Sequence, residues 1–423
     1  MSALVYSIIV LIIIYQDSPL VFILGSSGYS LLPVISIVMM LERLYSKRFR
    51  IRLKGFDGGL FKLFGYLTLV SLISIIFWLL SGRGIIVLGE NIVIKTLKGL
   101  LNFLGIVCFV YCMHDYSKSF TKKQITAPFY YVLIFMTVIC IIESFLLPNA
   151  FNFLHFTGQI PYGRIRLLTK ESSWTTLLIY IYSVLSLYYG LYVCKSKKII
   201  ATTIICFVVL LYYTSSKTLM LAVLLSVVVV FVLNIKKMSK KAIVLSVLLL
   251  ILIFFAYSVL WSKLQDSISI SMQYTSIPTR IYTTTIGLLI GVVYPFGTGT
   301  ALYMYIFPDF LKRFLYVFNY FPEITERNLS EINYYINATS DEAVSVKSGF
   351  LQYNMYWGIV GTIAVIKMIV KYCIKPLGDN TDTLLIKMCV IISTLLTFIS
   401  MGMTYEYFLL LIVSIHLSQE KHE

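Results

Sequence analysis

Apolar residues in this chain come in runs of about 20 that recur from end to end, separated by short polar or basic stretches, and a helix of that length crosses a hydrocarbon core of about 30 Å. Strands of a membrane barrel alternate apolar with polar positions, and these runs do not, so the pattern predicts an all-α polytopic transmembrane helix bundle. Spans are expected near residues 3–15, 20–41, 60–80, 99–113, 127–147, 174–194, 199–213, 218–234, 242–261, 353–372, 383–400 and 404–418. That is about 12 spans, within a range of roughly 11–13. The runs at 3–15 and 199–213 are short for a full crossing. The chain then divides into spans 1–9 over residues 1–261, a long outward segment over 262–352, and spans 10–12 over 353–423.

The polar residues between the runs give the orientation. Arg43, Lys47, Arg48, Arg50, Arg52 and Lys54 follow the second span; Lys118, Lys122 and Lys123 follow the fourth. Lys195, Lys197 and Lys198 follow the sixth, and Lys236, Lys237, Lys240 and Lys241 follow the eighth. Every cluster falls after an even-numbered span, which places both termini in the cytoplasm and turns the odd-numbered loops outward. The apolar stretch from Ala3 to Tyr15 has no basic segment before it and no small-residue cleavage site after it, so it reads as a retained first span.

Composition supports a lipid solvent. Hydrophobic residues make up 59% of the 423 positions and charged residues 13%, too little polar surface to wrap a soluble globule. The net charge of +16 sits in the loop clusters and is accounted for by the inward bias of Lys and Arg, so no nucleic-acid partner is implied. All seven cysteines lie inside or at the ends of apolar runs, Cys108 and Cys112 on one helical face, and they indicate neither a disulfide framework nor a zinc site.

Two outward segments are long enough to carry function. The first, over 148–173, contains Gly163-Arg164-Ile165-Arg166-Leu167-Leu168-Thr169-Lys170-Glu171-Ser172-Ser173-Trp174. If it is helical from Arg164, then Arg164 and Glu171 share one face while Arg166 and Lys170 stack on another. Three cations with one carboxylate at the membrane surface suit a phosphorylated ligand; side chains anchoring the loop at the interface are the other reading, but outward loops are usually depleted in Lys and Arg, which favours the ligand. Thr214-Ser215-Ser216-Lys217 makes the whole turn between spans seven and eight and puts Lys217 at a helix start, where anions are favoured; a hydroxyl cap with an interfacial lysine explains the same residues.

The second segment opens on Ser276-Ile277-Pro278-Thr279-Arg280, continues through an apolar stretch from Ile281 to Phe296 that suggests an interfacial or re-entrant helix, and reaches Pro295-Phe296-Gly297-Thr298-Gly299. Arg280 can fork onto a phosphate, and the glycines allow close backbone approach or positive φ. Tyr303, Tyr305, Phe307, Phe310, Phe314, Tyr316, Phe318, Tyr320 and Phe321 read as an aromatic belt at headgroup depth. Of the four histidines only His155 is placed outward, near the basic loop. Asp17 stands alone in the first outward loop, so no carboxylate cluster for a divalent metal is expected.

The Gly-x-x-Arg-x-x-x-x-Glu-Ser loop, the Thr-Ser-Ser-Lys turn, and the late loop with Arg280, Gly291 and Pro-Phe-Gly-x-Gly resemble the O-antigen polymerase and ligase superfamily. That superfamily commonly has Pro where Ser172 stands and Arg where Lys217 stands. Its ligases carry a catalytic His before the span that closes the long loop; Ser345-Val346-Lys347-Ser348-Gly349-Phe350-Leu351-Gln352 has none, which favours a polymerase.

The resemblance implies a GT-C-like, metal-independent glycosyltransferase without a cofactor. It would polymerise undecaprenyl-diphosphate-linked oligosaccharide units, for O-antigen or capsule, at the outer face of the inner membrane. Its partners would be the lipid-linked donor and acceptor, membrane lipid, a chain-length regulator and a flippase. Arg166, Lys217 and Arg280 would then meet the pyrophosphate with Arg164 and Lys170 in support, while Glu171 activates the acceptor hydroxyl and His155 is the second candidate. A ligase, or a flippase of the same lipid, whose cations would line a central cavity, are the alternatives.

Overall fold

The computed structural model describes residues 3–24, 28–48, 53–157, 160–214, 216–234, 276–318, 326–339, 344–346, 348–378, 381–399 and 401–419. The span expected at 242–261, the cluster from Lys236 to Lys241, Ser215, and the Tyr320 and Phe321 end of the aromatic run lie outside them, as does the side chain of Lys217. Among the described residues seven helices are long and apolar enough to cross a membrane: Gly55–Leu80, Ile92–Ser117, Lys122–Leu146, Thr175–Val193, Lys197–Thr214, Gly349–Leu377 and Asp382–Ile399. All seven coincide with expected spans.

In chain order the helices used below are α1 (Ala3–Ile12), α2 (Leu32–Ser46), α3 (Gly55–Leu80), α4 (Ile92–Ser117), α5 (Lys122–Leu146), α6 (Thr175–Tyr188), α7 (Lys197–Thr214), α8 (Lys217–Asn234), α9 (Ser276–Val293), α10 (Gly299–Arg313), α11 (Glu326–Ile336), α12 (Gly349–Ile369), α13 (Thr381–Ile399) and α14 (Tyr405–Gln419). Local chemistry sets several starts. Asn91 accepts from the N–H groups of Val93 and Ile94 ahead of α4, and Thr121 with Gln124 forms a capping box on α5.

Two expected spans are broken in the structure. The run at 3–15 is helical only to Ile12, about 15 Å of helix, and continues as turns into extended Gln16, which bridges Thr169. The run at 20–41 divides into a turn at Val21–Leu24 and α2, because the chain doubles back at Gly28, where a Cβ would lie 2.3 Å from the Leu20 carbonyl.

The ends of the bundle sort into two sets. At one end Tyr6 donates to the Ile125 carbonyl at 3.1 Å and Gly55 meets Tyr372. At the other, Gln16 N–H donates to Leu168 O and Gly349 N–H to Met401 O. The centre is α6, buried almost throughout.

The long segment expected between spans 9 and 10 is folded where it is described. Its helices α9, α10 and α11 form a second apolar cluster with Ile75, Trp78, Ile92, Leu351 and Met355. The expected aromatic belt splits by helical period: Tyr303, Phe307 and Phe310, at i, i+4 and i+7, are buried, while Tyr305 and Tyr316 are exposed. The Pro-Phe-Gly-Thr-Gly turn interlocks with a break in α12 at Gly358 (φ +69°), with Val360 N–H donating to Pro295 O at 3.1 Å and Thr298 N–H to Met355 O at 2.9 Å. The Tyr66 hydroxyl lies 2.8 Å from Phe296 O in the turn and 3.1 Å from Trp357 O at the break, tying the two together. Gly291 packs under Asn354, whose amide donates to Gly287 O, so this glycine serves close packing.

Candidate functional site

The basic loop is a series of turns, and helix begins only at Thr175, so the helical faces expected for Arg164, Arg166, Lys170 and Glu171 do not exist. The cause is Glu143, near the end of α5. Its two carboxylate oxygens accept from the successive N–H groups of Arg166 and Leu167 at 2.9 and 2.8 Å, and Leu167 takes φ +52°. Leu167 in that left-handed conformation cannot continue a right-handed helix, and the carboxylate holds the turn by satisfying the two adjacent backbone donors.

Arg166 is 1% exposed, with its guanidinium 4.9 Å from the Tyr162 ring centroid and 3.5 Å from Asn152 Oδ1. Burial pushes the guanidinium below the usual arginine range, and the negative charges of Asp17 and Glu143 oppose that shift. It is therefore an interior cation with two carboxylates in reach. Arg164 and Glu171 are exposed. Lys170 is half-buried; its ammonium donates to the Tyr29 hydroxyl at 2.6 Å and lies 4.5 Å from that ring's centroid, and Tyr29 meets Trp174 edge-on at 5.4 Å.

Asp17 does not stand alone. Its carboxylate is buried, 3.0 Å from His155 Nδ1, and accepts from the Thr157 hydroxyl at 2.6 Å. The carboxylate assigns the proton to Nδ1, and the buried Nε2 has no hydrogen-bond partner among the described residues.

The turn motif is brought against the first turn of α6, which follows the basic loop: the hydroxyls of Ser216 and Thr176 are 2.7 Å apart, and Ser216 caps Leu219 N–H at the start of α8. The neighbours of Arg280 come from α11: it is half-buried near the start of α9, within electrostatic reach of Tyr335, while neighbouring Thr279 donates to Glu331 at 2.8 Å. Among the described residues no group of three or more His, Cys, Asp or Glu side chains could hold a metal ion.

Between α4, α12, α14 and the basic loop lies a cavity of about 120 Å³, lined by Gln16, Tyr29, Asn102, Trp174, Tyr353 and Tyr405 among others. Gln16 turns its amide to Glu406 at 3.0 Å, and Thr404 donates to the same carboxylate at 2.5 Å. Asp17, Glu143 and Glu406 were legible only as carboxylates inside or beside apolar runs, a signal that by itself marks a functional or structural polar site.

Residues 202–366, from α7 to α12, match the family described as O-antigen ligase. No curated protein and no solved structure matches the chain. The matched stretch holds Ser216, Arg280 and the interlocked glycine turn, and the basic loop precedes it. The match over 202–366 shows the resemblance of this helical membrane chain to the O-antigen polymerase and ligase superfamily.

Proposed function

We propose that the protein is a polymerase of undecaprenyl-diphosphate-linked oligosaccharide units, a metal-independent glycosyltransferase acting at the outer face of the inner membrane through a bundle of about 12 spans with cytoplasmic termini. The observation that carries this reading is the basic loop: an exposed carboxylate, Glu171, exposed Arg164 and half-buried Lys170 lie on one loop, which the Glu143 carboxylate holds through the backbone N–H groups of Arg166 and Leu167. Transfer of a glycan from a lipid pyrophosphate leaves an anion at headgroup depth, and fixed cations stabilise charge developing there.

In this reading Arg164 and Lys170 face the pyrophosphate, with Lys217 and Arg280 as further cations. Glu171 orients and deprotonates the acceptor hydroxyl, since it is open to a ligand whereas the His155 imidazole is enclosed. Arg166 is a positioning residue. A ligase is the second reading, favoured by the description of the matched family; the absence of His between Ser345 and Gln352 favours the polymerase.

Deletion in the native host separates these readings. A polymerase mutant accumulates lipid A or carrier bearing single repeat units, and the wild-type chain restores polymer. Loss of glycan attachment with full-length polymer retained on the carrier would establish the ligase instead.

A further inference from the structure

The pair α9 and α10 enters the bundle from the end that carries the basic loop and returns to it. α9 runs alongside the first half of α12, since Gly287 packs on Leu351, Gly291 packs on Asn354, and Val360 N–H reaches Pro295 O. α10 climbs back along α3: Gly299 packs on Ser71, and Tyr305 meets Trp78 edge-on at 4.9 Å. Ser71 lies nine residues before Leu80, the last residue of α3. The turn between the two arms therefore sits about 14 Å below the end of that helix, near the middle of a hydrocarbon core of about 30 Å.

Arg83 stands where the returning arm meets the end of α3. Its guanidinium lies 4.6 Å from the Trp78 ring centroid on α3 and 5.0 Å from that of Tyr305 on α10. Trp78 Nε1 donates to Gly84 O at 2.8 Å, which folds the turn bearing Arg83 back over the helix end. The rings hold the cation without neutralising it: among the described residues its N–H donors make no hydrogen bond and no ion pair. The chain on either side is apolar and open, with Phe77, Leu80, Ile85 and Ile86 all exposed. Such residues belong at acyl depth in a bilayer, which puts Arg83 at the level of the headgroups.

We propose that Arg83, held by Trp78 and Tyr305, is a binding site for the phosphate of an anionic glycerophospholipid. The planar guanidinium fork matches two phosphate oxygens, and a cation with no carboxylate of its own selects a headgroup with net negative charge. The acyl chains have a track to follow: Leu69, Leu72, Ile76 and Leu80, at i, i+3, i+7 and i+11, form an exposed apolar stripe along α3. Because the guanidinium touches one ring on α3 and one on α10, a bound lipid strengthens the join between the re-entrant arm and the helix it climbs. The proposal does not depend on which reaction the protein catalyses.

The test uses the full-length chain, purified in detergent, stripped of lipid and titrated with phosphatidylglycerol or with phosphatidylcholine. Phosphatidylglycerol should raise the wild-type unfolding midpoint by about 2 °C or more beyond phosphatidylcholine, since a ligand of the folded state stabilises it by mass action. Native mass spectrometry should count about one more bound phosphatidylglycerol per wild-type chain than per Arg83→Gln chain. Glutamine keeps a polar side chain on the rings and removes the charge and the fork; Arg83→Lys keeps the charge and should fall between the two. Lys312→Ala, which removes an exposed cation from the last turn of α10, should behave as wild type.

Equal stabilisation by the two lipids, or phosphatidylglycerol held by Arg83→Gln as well as by wild type, would overturn the site. Displacement of phosphatidylglycerol by an equal concentration of undecaprenyl phosphate would also overturn it, and would assign Arg83 to the lipid-linked substrate. If Arg83→Gln does not fold, Tyr305→Leu decides the question: it removes only the α10 ring and should reduce the phosphatidylglycerol shift, and an undiminished shift would refute the proposal.

Discussion

His155 Nδ1 lies 3.0 Å from Asp17 Oδ2 across 138 residues of sequence, and both side chains are fully buried. The pair ties the turn after α1 to the basic loop at the level where Gln16 bridges Thr169. Asp17→Ala should leave the imidazole buried without its acceptor and lower stability by about 1–3 kcal/mol, read as a lower unfolding midpoint of the purified protein. His155→Ala should do the same while reducing turnover less than Glu171→Gln, for which about a 10²-fold loss is expected from removing a positioned base. The reverse order of the two turnover losses would make His155 the base.

The interlock between Pro295 and Gly358 predicts a sharp contrast between two glycines with similar φ. Gly358 has φ +69° and a Cβ there would lie 2.1 Å from Pro295 O, whereas Gly82 has φ +70° and nothing within 4 Å. Gly82→Ala should cost about 1 kcal/mol of backbone strain alone, whereas Gly358→Ala must also push the facing backbones away from each other and should cost several times as much. Equal midpoints in a thermal unfolding series of the two variants would refute the interlock.

Ion dependence tests the electrostatics. Where protein cations carry the developing pyrophosphate charge, transfer by the purified chain should persist in excess EDTA. Abolished transfer that returns on adding magnesium or manganese would remove the proposed mechanism.

Substitution of the cations separates geometry from charge. Arg280→Ala should lower turnover by about 10²-fold with expression retained, and Arg280→Lys should restore only a fraction, since an ammonium keeps the charge without the planar fork. Lys217→Arg should be tolerated where Lys217→Ala is not. If all of these resemble Lys312→Ala, the basic residues only anchor the chain at the membrane.

Hydrophobic periodicity alone determined that this is a helical membrane protein and located the seven membrane-length helices, because a run such as Leu63 to Leu80 must satisfy its backbone internally in lipid and only a helix does so. The motifs alone carried the resemblance that the match over 202–366 shows. Close approach at the Pro-Phe-Gly-Thr-Gly turn was also legible, since glycine is the residue that permits positive φ.

What only the tertiary structure decided is which polar residues meet. Gly163 to Trp174 has helical spacing, yet two backbone N–H groups are taken by Glu143 from another helix, and a long-range acceptor of that kind leaves no local trace. Asp17 and His155 are likewise uninformative one at a time, because their pairing depends on chain folding over 138 residues. The cavity at Asn102 and Tyr405 is a property of four elements packed together, and no single stretch of sequence contains it.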